Sequence, residues 1–286
     1  NGDPFAGAVY VYDLDGTNEI KIIPADPSGL YDYFGCGVAV GENKIVVAHS
    51  NTGQFNQRLL YTFNLDGTGE TKIATPNSTD SALKNVAIGN GKIVMGDPTS
   101  DNGTTIDAGR VFIYNLDGTG EIINAPYSGA GYDYYRHGHK VAITNNTIIA
   151  SADSSNRSHP VRSMDMSGSN GILIDDSGSS SSVGCKFGSS IDVDGTKVII
   201  GAYLSGFDSA VGEYGGTVHI FNIDGTGETK IIPYKNKPGD QFGKLVGLQG
   251  NTAVVVKRVS RQIYTTFPNF SDAPSYDQII VYDLNA

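Results

Sequence analysis

Val9-Tyr-Val-Tyr-Asp-Leu-Asp-Gly-Thr17 returns as Leu60-Tyr-Thr-Phe-Asn-Leu-Asp-Gly-Thr68, Val111-Phe-Ile-Tyr-Asn-Leu-Asp-Gly-Thr119 and Val218-His-Ile-Phe-Asn-Ile-Asp-Gly-Thr226. A degraded copy runs Val161-Arg-Ser-Met-Asp-Met-Ser-Gly-Ser169, and a shortened sixth is Ile280-Val-Tyr-Asp-Leu284. The residue before the Leu, Met or Ile falls at Asp13, Asn64, Asn115, Asp165, Asn222 and Asp283, in steps of 51, 51, 50, 57 and 61. Self-similarity at such a period governs the fold before any local propensity does. Between these copies a second phrase recurs five times. It runs Val38 to Ala48, Val86 to Gly96, Val141 to Ser151, Ile191 to Gly201 and Val246 to Val256.

Both phrases have the form of β-hairpins, with two β-branched or aromatic runs around a Gly/Asn/Asp turn. The Leu-Asp-Gly-Thr step supplies the positive φ that a tight turn needs. Helical periodicity does not persist over ten residues anywhere, and glycine punctuates too densely for long helices. Each repeat therefore carries four strands: A before the Gly-Asn turn, B (Lys-Ile-Val-Val), C (Val-Tyr-Val-Tyr) and D (Glu-x-Lys-Ile). Four antiparallel strands at this period predict an all-β, single-domain, five-bladed β-propeller. The repeat units lie near 34–79, 80–130, 131–180, 181–238 and 239–286, the last closed by 1–33. In that scheme Glu19 to Ile23 supplies strand D of the final blade and removes its edge. Strand C occurs six times, so one copy is surplus, and six blades with one incomplete is the alternative.

Composition limits the function classes. The chain has 286 residues, 37 of them Gly, with 39% apolar and 17% charged residues, enough apolar content for a core. Twenty basic against 30 acidic residues leave a formal charge of −10, which disfavours nucleic acid as a partner. No apolar run is long enough for a membrane span. The two cysteines, Cys36 and Cys185, sit in the first and fourth A–B phrases and are expected as buried thiols, not a disulfide. The chain begins at Asn1, as a processed product or fragment would, and its Asn-x-Ser/Thr triplets fall in Asn-rich turns, so no glycosylation is inferred.

Phe34-Gly35, Phe187-Gly188 and Phe242-Gly243 precede the second phrase, which ends in Ala48, Gly96-Asp97 or Gly201-Ala202. Phe-Gly, a hairpin, then Gly-Ala resembles the FG-GAP repeat of integrin-α-type propellers. Ala82-Leu83 and His137-Gly138 replace Phe-Gly in the second and third copies. The Tyr-Asn-Leu-Asp-Gly-Thr-Gly-Glu phrase is also similar to repeats in tail-fibre-like structural proteins of marine bacteriophages. These resemblances imply a recognition or scaffold module on a virion or extracellular surface, without catalysis. Fold alone does not fix function.

The variable connections are D–A and B–C, and binding residues concentrate on such loops. The expected ligand is a cell-surface glycan or a protein, within a larger assembly. The D–A loops present Tyr31, Asp32, Tyr132, Asp133, Arg136, His137 and His139. Tyrosine offers a flat apolar body with a polar tip, suited to sugar rings and protein hot spots. Tyr33 and Tyr134 or Tyr135 read instead as packing aromatics. The B–C loops span 48–57, 97–109, 152–160, 202–216 and 257–278, and the last gathers Lys257, Arg258, Arg261 and Tyr264. It forms either a docking surface or a cover for the last blade. No cofactor is implied. Calcium finds weak candidates in Asp97, Asp101 and Asp107, whereas Asp13-Leu-Asp15-Gly16 is a hairpin turn. His137 and His139 alternate along a strand near Asp133, a thin basis for a transition-metal site. His219 takes the place of a strand-C tyrosine and reads as structural. A polysaccharide hydrolase or lyase at the central mouth and a ligand-free assembly spacer are the competing readings.

Overall fold

The protein is described by a computed structural model covering residues 7–25, 32–51, 58–75, 85–127, 129, 131–153, 161–176, 186–205, 207–208, 213–233, 239–259 and 276–285. Among these residues all regular structure is β, and no helix is long and apolar enough to cross a membrane. β1 (Val9–Val11) and β2 (Ile20–Ile22) form a two-stranded sheet. β3 (Asp32–Gly41), β4 (Lys44–Asn51), β5 (Arg58–Asn64) and β6 (Thr71–Ala74) form an antiparallel sheet in chain order. β7 (Asn85–Gly89), β8 (Lys92–Asp97), β9 (Arg110–Asn115) and β10 (Ile122–Asn124) repeat it. β11 (His137–Thr144) pairs with β12 (Thr147–Ala152), and β13 (Val161–Asp165) with β14 (Ile172–Ile174). A short hairpin, β17 (Phe207–Asp208) with β18 (Glu213–Tyr214), interrupts the sheet of β15 (Phe187–Asp194), β16 (Lys197–Ala202), β19 (Thr217–Asn222) and β20 (Thr229–Ile231). β21 (Leu245–Gln249), β22 (Thr252–Val259) and β23 (Tyr276–Asp283) make a three-stranded sheet.

All five predicted A–B hairpins are present, as β3–β4, β7–β8, β11–β12, β15–β16 and β21–β22. The strand expected to close the final blade finds its hydrogen bonds elsewhere. Val9 stands opposite Ile22 and Val11 opposite Ile20, so Ile20–Ile22 pairs with the C strand that precedes it. The chain divides into two compact units, residues 1–152 with 164–171 and residues 153–163 with 172–286.

The recurring C–D turn has a clear physical cause. Gly67 donates its N–H to Asn64 O at 2.9 Å, Asn64 donates to Thr68 O at 2.8 Å, and Gly67 sits at φ 79°. A left-handed residue is obligatory there, hence the glycine. Asp66 Oδ1 accepts from Thr68 N–H at 3.0 Å and from its hydroxyl at 2.6 Å, an Asx cap that fixes the turn. Lys44 Nζ crosses from strand B to Asn64 Oδ1 at 2.8 Å, as Lys92 does to Asn115 and Lys197 to Asn222. The Asn, Asp, Gly, Thr and Lys of the two phrases are thus one bracket joining strands B, C and D.

These caps predict an acid response. Hydroxyl and then backbone N–H donors hold the Asp15, Asp66, Asp117 and Asp224 carboxyls below the usual range. Asp165, with Ser167 first and Ser169 and Asn170 also donating, is held down to about 2. A depressed pKa stabilises the folded state above the unfolded value of about 3.9 and loses that contribution as pH falls toward the folded value. Carboxyl NMR titration should place the Asp165 midpoint lowest of the five. A midpoint at the ordinary aspartate value would refute the cap.

The core lies between neighbouring sheets. Strand β4 is buried on both faces, as a sandwiched strand must be, and its Ile-Val-Val-Ala run reflects this. Ile45 and Val47 join Ile22, Phe34, Leu59, Tyr61 and Phe63, while Val46 and Ala48 join Leu60, Ile93, Met95 and Phe112. In the second unit Ile199, Val218 and Phe242 pack with Leu248, Ala253 and Val255. Each such side chain contributes roughly 1.5–3 kcal/mol. The Cys36 thiol, half-buried, donates to Ala48 O at 3.4 Å, and Cys185 lies outside the described residues.

The Phe-Gly step is a bulge. Phe34 pairs with His49 but Gly37 with Ala48, and Phe187 pairs with Ala202 but Ser190 with Gly201. Gly35, Gly138, Gly188 and Gly243 all adopt φ near 85–87°. A bulge redirects the strand and leaves backbone groups unpaired within the ladder. Here it lets the Gly138 backbone approach Gly96 from the adjoining sheet, and Gly243, which precedes β21 with the same φ, approaches Gly201 likewise.

Candidate functional site

The B–C loop after β8 and the D–A loop before β11 are built as one body in the first unit. Gly109 N–H donates to Ser100 O at 2.9 Å, and Asn102 exchanges backbone bonds with Thr105 at 3.0 and 3.1 Å. Asn102 Nδ2 reaches Tyr127 O at 2.8 Å and Ala125 O at 3.2 Å. Tyr134 N–H then donates to Ile106 O, Arg136 N–H to Asp107 O and His137 N–H to Ala108 O, at 2.8, 2.9 and 3.0 Å. The reverse tie is Ile106 N–H to Asp133 Oδ1 at 2.9 Å. Beneath this ladder the Tyr127, Tyr132 and Tyr135 rings pack together, 4.1 Å apart at the closest pair of centroids.

Several backbone angles on this body are unusual. Asp107, Tyr134 and Arg136 have φ of 48°, 59° and 59°. Lys186 and Gln241 share the Arg136 position and its left-handed backbone, at 57° and 45°, so that feature belongs to the repeat. Tyr134 is different. It lies three residues before the Phe/His-Gly step, where Gly239 stands at φ 83° and the sequence has Gly184 in the fourth repeat and Tyr31 in the first. A tyrosine in glycine's conformation costs of order 1–2 kcal/mol, and such strain clusters at functional positions. Tyr134 spends it on exposure, with 46% of its surface in solvent beside Ile106 at 50%.

The predicted site residues separate accordingly. Asp133 is exposed, and Arg136 is ion-paired to Asp107 at 3.6 Å. Tyr132 is half-buried as part of the platform's underside. His137 is a correction: it is 0% exposed, fills the Phe position of the bulge, and bonds Asn124 Oδ1 through Nε2 at 3.0 Å. The bulge also breaks the assumed alternation of His137 and His139, because Lys140 rather than His139 pairs next, opposite Ser151. Tyr33, read as a packing aromatic, is exposed; of Tyr134 or Tyr135, Tyr135 is the buried one and Tyr134 is exposed. Tyr31, Arg261, Tyr264 and the side chain of Asp32 lie outside the described residues. Arg258 is exposed on β22 opposite Asp277. Lys257 is drawn out of the basic cluster into an ion pair with Asp240.

The calcium candidates are engaged separately. Asp97 Oδ1 caps Thr99, Asp101 Oδ1 accepts the Asp107 N–H at 2.9 Å, and Asp107 faces Arg136. Among the described residues the metal-capable side chains that converge are Asp176, His219 and Glu228, in the second unit. Asp176 lies 43 residues from His219, which the sequence reads as structural.

No protein-family model and no curated protein matches the chain. Among solved structures, the β-propeller domain of the Trilobed protease from Pyrococcus furiosus matches with TM-score 0.53 and 8% identity, over 88% of this chain and 69% of that one. The structure of a nidogen/laminin complex matches with TM-score 0.49 and 10% identity, over 84% and 79%. At 8% identity the first likeness concerns the fold, and the fold is of the all-β propeller class.

Proposed function

We propose that the chain is a non-catalytic recognition module of an extracellular or virion surface. It binds a cell-surface glycan through the fused B–C and D–A loops at Ile106, Asp133, Tyr134 and Arg136. The observation that carries this reading is Tyr134, a strained and exposed aromatic held at a glycine position by a rigid hydrogen-bonded ladder. Preorganised aromatic surface beside a carboxylate and a guanidinium suits a sugar ring and its hydroxyls. The Phe-Gly bulges add the FG-GAP resemblance, which favours a surface module.

The test is binding of the purified chain to a panel of bacterial surface polysaccharides, with product size monitored. Saturable binding without shortened products supports the module. Tyr134→Gly supplies the residue that the fourth and fifth repeats use, so the fold should be retained while affinity falls at least about tenfold. Cleavage of the polysaccharide overturns the non-catalytic reading. Silence across the panel, or an unchanged affinity in Tyr134→Gly, overturns this glycan site.

A further inference from the structure

The glutamate that opens strand D has a partner from its own hairpin in two repeats. Tyr12 donates its hydroxyl to Glu19 at 2.5 Å and Tyr114 donates to Glu121 at 2.7 Å. In the β19–β20 repeat that tyrosine is Phe221, which has no hydroxyl to give. Two residues earlier, where β5 has Tyr61 and β9 has Phe112, stands His219. Glu228 Oε1 turns to His219 Nδ1 at 2.8 Å. His219 Nε2 lies 2.9 Å from Thr217 Oγ1, which bonds Ser205 Oγ at 2.5 Å. Asp176 Oδ2, arriving from the end of β14, stands 3.7 Å from Nε2.

Charge makes this cluster unusual. The Asp176 side chain is 3% exposed, that of Glu228 18% and that of His219 0%. Lys230 Nζ lies 3.6 Å from Asp176, on a side chain one-third exposed. A bound divalent cation is the largest charge such a cluster can hold.

We propose that Asp176, His219 and Glu228 form a binding site for a divalent transition metal of the zinc class. The donor types suit that ion: one imidazole and two carboxylates, with a fourth position for water. The donor atoms lie within 4.8 Å of one another, and tetrahedral zinc asks for about 3.3 Å, a change that side-chain rotation can make. Glu228 faces Nδ1 at 2.8 Å, so Nδ1 is the ligating nitrogen, and Asp176, 3.7 Å from Nε2, must swing along the ring edge to reach the ion. The neutral ring moves its proton from Nδ1 to Nε2, which then donates to Thr217, whose hydroxyl donates on to Ser205. That chain orients the ring as the outer partners of ligating histidines do. The ion enters along Glu228 and Lys230, the solvent edge of the cluster.

The test uses the full chain after chelator treatment. Cobalt(II) titration should develop the visible bands of tetrahedral cobalt at one equivalent, and zinc should displace them. Zinc should raise the thermal midpoint and chelator should reverse it. His219→Tyr restores the aromatic found in β5 and should keep the fold while weakening cobalt binding at least about 100-fold. Glu228→Gln, at the solvent edge, gives the same reading if His219→Tyr does not fold. Absence of the cobalt spectrum in the parent chain, or an equal spectrum in both variants, overturns the site.

Discussion

Gly96→Ala is expected to destabilise the first unit by about 3 kcal/mol or more in urea unfolding, although it adds one methyl group. A Cβ on Gly96 would fall on Gly138 O, far inside contact distance, with Gly138 Cα at 3.1 Å. All three atoms it meets are backbone, so no rotamer change relieves the clash. Gly138 cannot retreat cheaply. It sits at φ 86° in the bulge, its neighbour His137 is bonded to Ala108 O, and its own Cβ position is crowded by the Arg110 carbonyl. Gly91→Ala calibrates the effect. Gly91 also has positive φ, 71°, but nothing lies within 4 Å of its Cβ position. That variant should lose only the left-handed penalty of about 1–2 kcal/mol. Equal losses in the two variants would mean that the glycine contact between sheets tolerates a methyl group.

The same contact explains what the sequence could and could not disclose. Local repeats report local structure, and strands A to D were legible because turn chemistry, β-branched runs and period all agreed. The Asn-Leu-Asp-Gly-Thr phrase even encodes its own cap. The Phe-Gly bulge was invisible as geometry, because an extra pair of residues in one strand leaves the composition unchanged. It turned His137 inward and spoiled the alternation with His139. The partner of Ile20–Ile22 was misassigned because a D strand is equally complementary to any C strand. Tyr134 was passed over for Tyr132, yet a signal existed: the fourth and fifth repeats have glycine three residues before Phe-Gly. The Asp176–His219–Glu228 cluster also left a trace, since His219 departs from the Tyr10, Tyr61 and Phe112 that other repeats carry there. Asp176, 43 residues away from His219, had no such marker.

Lys257→Met should cost about 3–5 kcal/mol in the second unit, the loss expected when one member of a buried ion pair is removed. Lys257 Nζ meets Asp240 Oδ2 at 3.0 Å, with the side chains 14% and 2% exposed. Asp240 stands just before the Phe242-Gly243 step that leads into β21, and Phe242 is wholly buried in the core of that unit. Methionine preserves most of the apolar stem of Lys257, so the loss reports the stranded carboxylate more than lost packing. Lys244→Met is the matched comparison. Its pairing with Asp277 is 3.9 Å long and exposed on both sides, and should cost no more than about 1 kcal/mol. The decisive measurement is the double-mutant cycle with Asp240→Asn, read by urea unfolding. Removing the charge from both positions should recover part of the single-mutant loss, giving a coupling of about 1–3 kcal/mol. Strict additivity would show that the two side chains act independently, and that the segment before β21 is held by the Phe242 contacts alone.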